Sequence, residues 1–283
     1  EDGIRDSVAA RGLGDVYKRQ FMSCEKPILT DSGGYQVFSL APMGTVSEDG
    51  VQFRSHIDGS SHLLTPESAA EIQARLGSDI AMVLDECPSY TAPRESVLEA
   101  MQRTGRWARR ARNRFLELKS GIVGGEEFVN PEQAQFGIVQ GGVYPELREQ
   151  SVHEIVDVGF ESYAIGGLSV GEPVDLMYQT VGTTTASLPE HRARYLMGTG
   201  MPGDLVECVA RGVDLFDCVL PTRNARNGQL FTRHGRIVIK NACYAEDERP
   251  VDPNCPCYTC RNFSRAYLRH LFMAEEMTSA TLN

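Results

Sequence analysis

Residues 136–142 read FGIVQGG, and residues 162–167 read SYAIGG. Each stretch is a short apolar run that ends in polar or glycine residues, and residues 145–158 between them have helical periodicity. A strand, a helix and a second strand in this order predict two parallel strands of one sheet. The ends of these strands are therefore where ligand-binding residues are expected.

The same alternation continues in both directions along the chain. Further strands are predicted at 27–30, 79–84, 194–197 and 215–219. Further helices are predicted at 66–76, 93–118, 173–185 and 203–212. Polar residues follow nearly every strand, which favours a β/α barrel over a doubly wound sheet, where ligand residues gather at one switch point. The prediction is an α/β fold, an incomplete (β/α)8 TIM barrel with about six of its βα units visible.

The rest of the chain is organised around this barrel. Residues 1–20 mix acidic and basic side chains without a regular pattern, and we expect a disordered or non-native tail. Residues 21–219 form the predicted barrel core, with a β-hairpin inserted at 45–64, where Asp-Gly turn signals interrupt alternating residues. Residues 220–283 form a predicted zinc-binding subdomain with a helix around 262–277.

Composition restricts the classes of function. The 283 residues are 41% hydrophobic and 23% charged, as in a soluble globular protein, and no apolar run is long enough to span a membrane. The net charge of −10 repels nucleic acid in bulk, so an RNA partner requires a local basic patch. Clustering among the 8 cysteines indicates metal binding in a reducing compartment, and we expect a cytoplasmic protein.

The cysteine cluster is the most specific short motif. Cys255, Cys257 and Cys260 lie close together, after a predicted hairpin at 229–240. Three thiolates supply most of the tetrahedral ligand set that a structural Zn²⁺ requires. The alternative interpretation is that the three cysteines are buried and unrelated to one another. The fourth ligand stays open, because His270 follows in a helical pattern.

Two aspartates, Asp31 and Asp217, lie at the ends of predicted strands. Cleavage of a glycosidic bond uses such a pair of carboxylates, one as nucleophile and the other as acid and base. A single aspartate at a strand end is more often a loop or helix cap. The Gly33-Gly34 pair beside Asp31 favours the functional interpretation, because glycine lets a ligand approach the backbone.

Other strand-end residues suit recognition of a flat polar base. Asp85, Gln140 and the backbone of Gly167 offer groups for the edge of a purine, and Tyr35 and Met197 offer surfaces for its two faces. Taken singly, each of these residues is more often a packing residue.

A basic patch follows the second aspartate. Arg223 and Arg226 lie just after Asp217, and Arg233 and Arg236 come soon after them. Such a patch beside a catalytic carboxylate would hold RNA phosphates despite the acidic net charge.

Together these motifs resemble the bacterial tRNA-guanine transglycosylases, from about Phe21 to the last residue. The stretches that carry the resemblance are ILTDSGGYQVFSL (28–40), VLDEC (83–87), FGIVQGG (136–142), AIGGLSVGEP (164–173), YLMGTG (195–200), FDCVLPTR (216–223) and CPCYTC (255–260). The resemblance implies a β/α barrel with an inserted zinc subdomain. It also implies exchange of guanine 34 in the anticodon of certain tRNAs for the queuosine precursor preQ1.

The resemblance further implies roles for single residues. Asp217 is the implied nucleophile that bonds to ribose C1′, and Asp31 is the implied general acid and base. The remaining implied roles are base recognition by Asp85, Gln140 and Gly167, base stacking by Tyr35 and Met197, RNA binding by Arg223 and Arg226, and zinc binding by Cys255, Cys257 and Cys260.

Two further expectations come from the resemblance. Cys87 and Val170 match the bacterial pocket wall, which implies a preference for preQ1 over the larger queuine. Phe263, Tyr267 and His270 have the spacing of one helix face, and the corresponding aromatic patch in the family packs against a second subunit. We therefore expect a homodimer for the full-length enzyme.

The chain also differs from the family at both ends. Family members begin well before the DSGG motif, with about two more barrel strands. Their fourth zinc ligand is a histidine that would fall beyond Asn283. We therefore expect an internal fragment that on its own binds zinc weakly and has little activity.

Three other functions stay open on the residues alone. A non-catalytic tRNA-binding partner subunit would have no need of both Asp31 and Asp217. An archaeal-type exchanger would act elsewhere on tRNA. A glycosidase acting on free sugars would use the two carboxylates but not the base-recognising set.

Overall fold

The computed structural model describes residues 23–35, 44–55, 57–121 and 128–283, and the expected tail at 1–20 lies outside this part of the chain. The chain divides into two compact units. The first comprises the described residues up to Met197 together with Leu205–Phe216, and the second comprises Gly198–Asp204 and Asp217–Asn283.

Strands and helices alternate from residue 61 to residue 216. In order, the elements up to Phe216 are β1 (Leu29–Thr30), β2 (Gly44–Val46), β3 (Val51–Arg54), β4 (Ser61–Leu64), α1 (Pro66–Leu76), β5 (Ile80–Met82), α2 (Arg94–Lys119), β6 (Ala134–Val139), α3 (Pro145–Val158), β7 (Ser162–Ile165), α4 (Val174–Ser187), β8 (Arg194–Leu196), α5 (Pro202–Val209) and β9 (Leu215–Phe216).

A parallel sheet of six strands organises the first unit, in the order β1, β5, β6, β7, β8, β9. Every neighbouring pair is parallel, and in the central pair Ile138 of β6 lies opposite Ala164 of β7. The spatial order follows the chain order without the reversal that a doubly wound sheet has. The predicted α/β class and six strands are therefore confirmed, with the strand order of a β/α barrel.

Local sequence signals explain where the helices begin and end. Thr65 caps α1 because its hydroxyl accepts the N–H of Ser68 at 3.1 Å, and Pro66 occupies the first helical position. Helix α3 ends at Gly159, whose φ of 82° is the left-handed conformation that glycine adopts most easily. Both helices have the bounds predicted from the sequence.

The core of the first unit lies between the sheet and its helices. Ile138, Val139, Ala164 and Ile165 on the two central strands are fully buried, as is Trp107 on α2. Burial on both faces explains why these strands are continuously apolar, as is typical of parallel sheets. The polar residues are displaced to the strand ends.

The inserted segment differs from the prediction. Instead of one hairpin at 45–64, strands β2, β3 and β4 form a three-stranded antiparallel sheet. The two Asp-Gly turn signals, Asp49-Gly50 and Asp58-Gly59, each connect one pair of strands, so two turns produce three strands.

The second unit contains the remaining elements. They are α6 (Leu220–Arg226), β10 (Gln229–Thr232), β11 (Gly235–Val238), a 3-10 turn (Ala242–Tyr244), α7 (Tyr258–Asn262), α8 (Arg265–Met273) and α9 (Met277–Leu282). Strands β10 and β11 form the expected antiparallel hairpin. Leu230, Ile237, Ile239, Val251 and Leu268 form the apolar core of this unit.

The predicted helix around 262–277 is confirmed in part, because α8 occupies Arg265–Met273 within this range, whereas α7 ends at Asn262 and α9 begins at Met277. Phe263 ends α7, and the Ser264 side chain begins α8 by accepting the N–H of Tyr267 at 3.2 Å. Glu275 then has a φ of 56°, which stops the chain from continuing as a helix. Phe263 and Tyr267 therefore do not share one continuous helix, although their rings stack with centroids 5.4 Å apart.

Across the described ranges, no helix has both the length and the apolar composition that crossing a membrane requires.

Candidate base-recognition and catalytic site

Buried polar side chains meet at the carboxyl ends of β5, β6 and β7. Gln140 follows β6 directly, and its Nε2 donates a hydrogen bond of 2.6 Å to Oδ2 of Asp85, which follows β5. Gln140 is fully buried and Asp85 is only 8% exposed. A carboxylate and an amide removed from water at the end of a barrel strand are typical of a ligand-recognition site.

Glycine backbone lies directly against this pair. A Cβ on Gly166 would lie only 2.7 Å from Nε2 of Gln140, and one on Gly34 would lie 2.9 Å from the Asp85 carbonyl oxygen. Gly167 has a φ of 68°, and a Cβ there would overlap Oε1 of Gln140. Only glycine allows these backbone segments to approach the Asp85–Gln140 pair.

The pKa of Asp85 is shifted toward neutrality. Burial, together with the nearby carboxyl group of Asp31, raises it from 3.8 to about 7, whereas the hydrogen bond from Gln140 opposes both effects. Asp31 is exposed, and its Oδ1 accepts the N–H of Ser32 at 2.9 Å. The Asp31 carboxyl is therefore one of the charges that act on Asp85.

Helix α3 supports the turn that carries Gln140. The Ser151 hydroxyl accepts the Gln140 N–H at 3.0 Å. Arg148 donates from Nε to the Gly142 carbonyl at 2.7 Å and from Nη1 to the Val139 carbonyl at 3.1 Å. Neither Ser151 nor Arg148 is among the residues predicted from the sequence. The available signal was that Arg148 lies on the buried stripe of α3, one turn before Val152.

The loop after β7 is held by a carboxylate that is not among the residues predicted from the sequence. Glu172 accepts the N–H of Ser169 at 2.5 Å and that of Val170 at 3.0 Å. Ser169 has a φ of 58°, which is unusual for a residue with a side chain. This local conformation has no sequence signature comparable with a glycine.

Cys87 forms part of the same buried region. It is 8% exposed, and burial together with the nearby Asp85 carboxyl raises the pKa of its thiol to about 12. The side chain is therefore a neutral, weakly polar group near neutral pH and not a thiolate nucleophile.

The two residues predicted to stack on a base both lie in the first unit, after different strands of the sheet. Tyr35 directly follows Gly34 and is 49% exposed. Met197 follows β8, packs partly against the core, and donates its N–H to the Ile165 carbonyl at 3.4 Å. The structure thus brings Asp31, Asp85, Gln140 and Gly167 together. Tyr35 follows Gly34 in the chain, and Met197 follows the strand that pairs with β7.

The second unit carries the other predicted catalytic residue. Asp217 follows β9, and its Oδ1 accepts the N–H of Gly198 at 2.9 Å. Arg223 and Arg226 are exposed on α6, and within the described ranges neither forms an ion pair. These two cations are therefore available to an anionic partner.

The cysteine cluster also lies in the second unit. The Sγ atoms of Cys255, Cys257 and Cys260 all lie within 4.8 Å of one another, which suits thiolates around one Zn²⁺ at about 2.3 Å from each sulfur. Sγ of Cys257 accepts the N–H of Cys260 at 3.4 Å at the start of α7. In the part of the chain that the structure describes, His270 is not a member of this cluster.

Comparison with known proteins agrees with this arrangement. Residues 10–283 match the family described as queuine tRNA-ribosyltransferase, and this match begins inside the segment 1–20 that we expected to be a tail. A queuine tRNA-ribosyltransferase of Pelotomaculum thermopropionicum is 55% identical over 263 residues, which are 93% of this chain and 68% of the relative. One of Solidesulfovibrio magneticus is 53% identical over 278 residues, 98% of this chain and 71% of the relative.

The chain thus belongs to the class of pentosyltransferases that act on tRNA. It is a member of the queuine tRNA-ribosyltransferase family, which confirms the predicted resemblance.

Proposed function

We propose that the chain is a tRNA-guanine transglycosylase that replaces guanine 34 of the anticodon with preQ1. The observation that carries this proposal is the buried Asp85–Gln140 pair under the Gly166-Gly167 backbone. Several polar groups that converge on one buried site suit the hydrogen-bonding edge of a purine. Hydrolysis of a free sugar by a glycosidase does not require this set of groups. The names of the relatives support the same function.

The polar groups complement the hydrogen-bonding edge of guanine. Guanine donates from N1 and its exocyclic amine, which the Asp85 carboxylate would accept, and its O6 would accept from the Gly167 N–H. Gln140 would supply its amide to the same edge, and Tyr35 and Met197 would cover the two faces. A base reaches such a site only after leaving its stack, as a single-stranded anticodon loop permits.

The exchange would proceed by double displacement at ribose C1′. A carboxylate oxygen of Asp217 would attack C1′ as the bond to guanine N9 breaks, and Asp31 would give a proton to the leaving base. Asp31 would then take the N9 proton of preQ1, and N9 would attack C1′ as the ester to Asp217 breaks. Two displacements retain the configuration at C1′.

The RNA would be held by cations of the second unit. Arg223 and Arg226 lie on α6, within nine residues of the proposed nucleophile, and are the residues that we assign to the anticodon loop. Because the chain has a net charge of −10, binding would depend on such local contacts and weaken steeply with added salt.

The proposal includes a structural Zn²⁺ on Cys255, Cys257 and Cys260. The donor set fits, since three thiolates on one short turn match the preference of zinc for sulfur in structural sites. When bound, the ion would tie the loop before α7 to that helix. It would play no direct part in the exchange.

Further parts of the proposal concern organisation. We assign residues 21–219 to a (β/α)8 TIM barrel, of which six strands are described, and 220–283 to the zinc-binding subdomain.

The aromatic pair Phe263 and Tyr267, beside the 68% exposed Tyr258, supports a homodimer, although without the continuous helix that we expected. A tRNA-modifying enzyme would act in the cytoplasm.

The direct test is incorporation of radiolabelled guanine into tRNA by the purified full-length enzyme that contains this chain. Wild type is expected to label tRNA with guanine at position 34 but not tRNA with adenine there. Asp217→Asn should abolish labelling. Asp214→Asn is the matched control, because Asp214 lies before β9 and its carboxylate accepts the Arg194 N–H at 2.9 Å. Labelling that ignores nucleotide 34, or that survives in Asp217→Asn, would overturn the proposal.

A further inference from the structure

Arg148 is a buried cation beside the base-recognition residues. Its side chain is only 1% exposed, and no carboxylate of the described residues forms an ion pair with it. Burial lowers the pKa of its guanidinium to about 10, so the group stays charged near neutral pH. The charge of Glu172 partly opposes this shift without forming an ion pair, and a buried charge that lacks an ion pair is costly.

The hydrogen bonds of Arg148 all serve the turn that carries Gln140. Nε binds the Gly142 carbonyl and Nη1 binds the Val139 carbonyl, so one rigid guanidinium spans both ends of the turn. The side chain therefore fixes the backbone from which the Gln140 amide projects. A planar guanidinium can hold two carbonyls at once, whereas an ammonium group cannot do so with the same geometry.

The third nitrogen of Arg148 faces the other base-recognising segment. A Cβ on Gly167 would lie 3.5 Å from Nη2, and Nη2 has no hydrogen-bond partner within the described residues. Oε1 of Gln140 is likewise buried without a partner there, and it lies against the same glycine. One buried donor and one buried acceptor thus adjoin the backbone that is proposed to read the base.

We infer that Arg148 is a positioning residue for base recognition, which locks the Gln140 turn and the Gly167 segment into the arrangement that binds a purine. This inference rests on the proposed function. Arg148 touches neither base nor ribose, and it acts through Gln140 and Gly167. Its loss should therefore weaken binding of the base and leave tRNA binding and the chemical step largely intact.

The test compares Arg148→Met and Arg148→Lys with wild type in calorimetric binding of free guanine, and in exchange kinetics normalised to active sites. Arg148→Met should raise the Kd and KM for guanine about ten- to a hundredfold, the effect of losing charged hydrogen bonds in a buried site. The KM for tRNA and kcat should stay near wild type. Arg148→Lys should give an intermediate Kd.

A matched control separates positioning from stability. Arg112 is also a buried arginine, and it donates a hydrogen bond of 2.8 Å to the Gly159 carbonyl. Unlike Arg148, it also binds a carboxylate, that of Glu161, which precedes the amino end of β7. Arg112→Met should lower the melting temperature without changing the Kd for guanine. Guanidinium ions added to Arg148→Ala should restore part of the affinity.

Two outcomes would overturn the inference and are distinguishable. A Kd for guanine in Arg148→Met equal to that of wild type, with only fewer active sites or a lower melting temperature, would assign Arg148 a merely structural role while the proposed function stands. Failure of wild type to bind guanine at all would overturn both.

Discussion

Replacing Asp85 with asparagine should stabilise the first unit, and more at high pH than at low pH. The folded pKa of Asp85 is about 7, whereas its ordinary value is 3.8. Between these two pH values the unfolded chain ionises this carboxyl while the folded protein keeps it protonated. Stability contributed by the protonated group is therefore lost as pH rises from about 4 to about 7, and above this range the loss is constant.

The magnitude follows from the gap between the two pKa values. The raised pKa of Asp85 lowers the free energy of unfolding by on the order of 4 kcal/mol at pH 8. At pH 5 it lowers the free energy of unfolding by on the order of 2 kcal/mol. The asparagine amide of the variant cannot ionise, but its oxygen still accepts the hydrogen bond from Gln140. We therefore expect Asp85→Asn to gain on the order of 2–3 kcal/mol more stability relative to wild type at pH 8 than at pH 5.

Trp107 provides the assay, because it is the 1 tryptophan of the chain and is fully buried in the first unit. Urea unfolding followed by its fluorescence, at pH 5 and pH 8, gives the free energy of unfolding of that unit. Asp175→Asn, at an exposed position in the first turn of α4, is the control and should show no comparable change. An Asp85→Asn effect of equal size at both pH values would refute the argument from burial.

Three further predictions follow from the site. Gly167→Ala should abolish base exchange without unfolding the protein, because its Cβ would displace the Gln140 amide; full activity in the standard assay would contradict this. Cys257→Ser should release the bound zinc and unfold the second unit, so unchanged metal content by mass spectrometry would argue against a thiolate site. The enzyme should use preQ1 in preference to queuine because Val170 and Cys87 restrict the pocket, and equal turnover of both bases would exclude that explanation.

The sequence predicted the elements whose ends have local signals. Helix α3 and strand β7 were predicted within a residue, because proline begins the helix and Gly159 ends it. The break after Phe263 was missed, since Ser264 acts as a helix cap only when the preceding chain has left the helix. The left-handed backbone conformation of Glu275 could not be predicted, because glutamate is not a residue type that indicates it.

The residues of the candidate site likewise include some that the sequence predicts and some that it does not. Asp85 and Gln140 could be predicted because strand-end polar residues of a parallel sheet converge at one edge. Arg148 and Glu172 could not, because charged residues are normally exposed and their burial depends on distant segments. The distances that make these residues a site come from packing of strands far apart in sequence.

The central claim is that Asp217 bonds covalently to the RNA during exchange. Intact-mass measurement of the protein incubated with an anticodon stem-loop tests it most directly. We expect a species with the mass of protein plus RNA minus guanine, which disappears when free guanine is added and is absent from Asp217→Asn. Robust exchange without this species, or its formation by Asp217→Asn, would contradict the account.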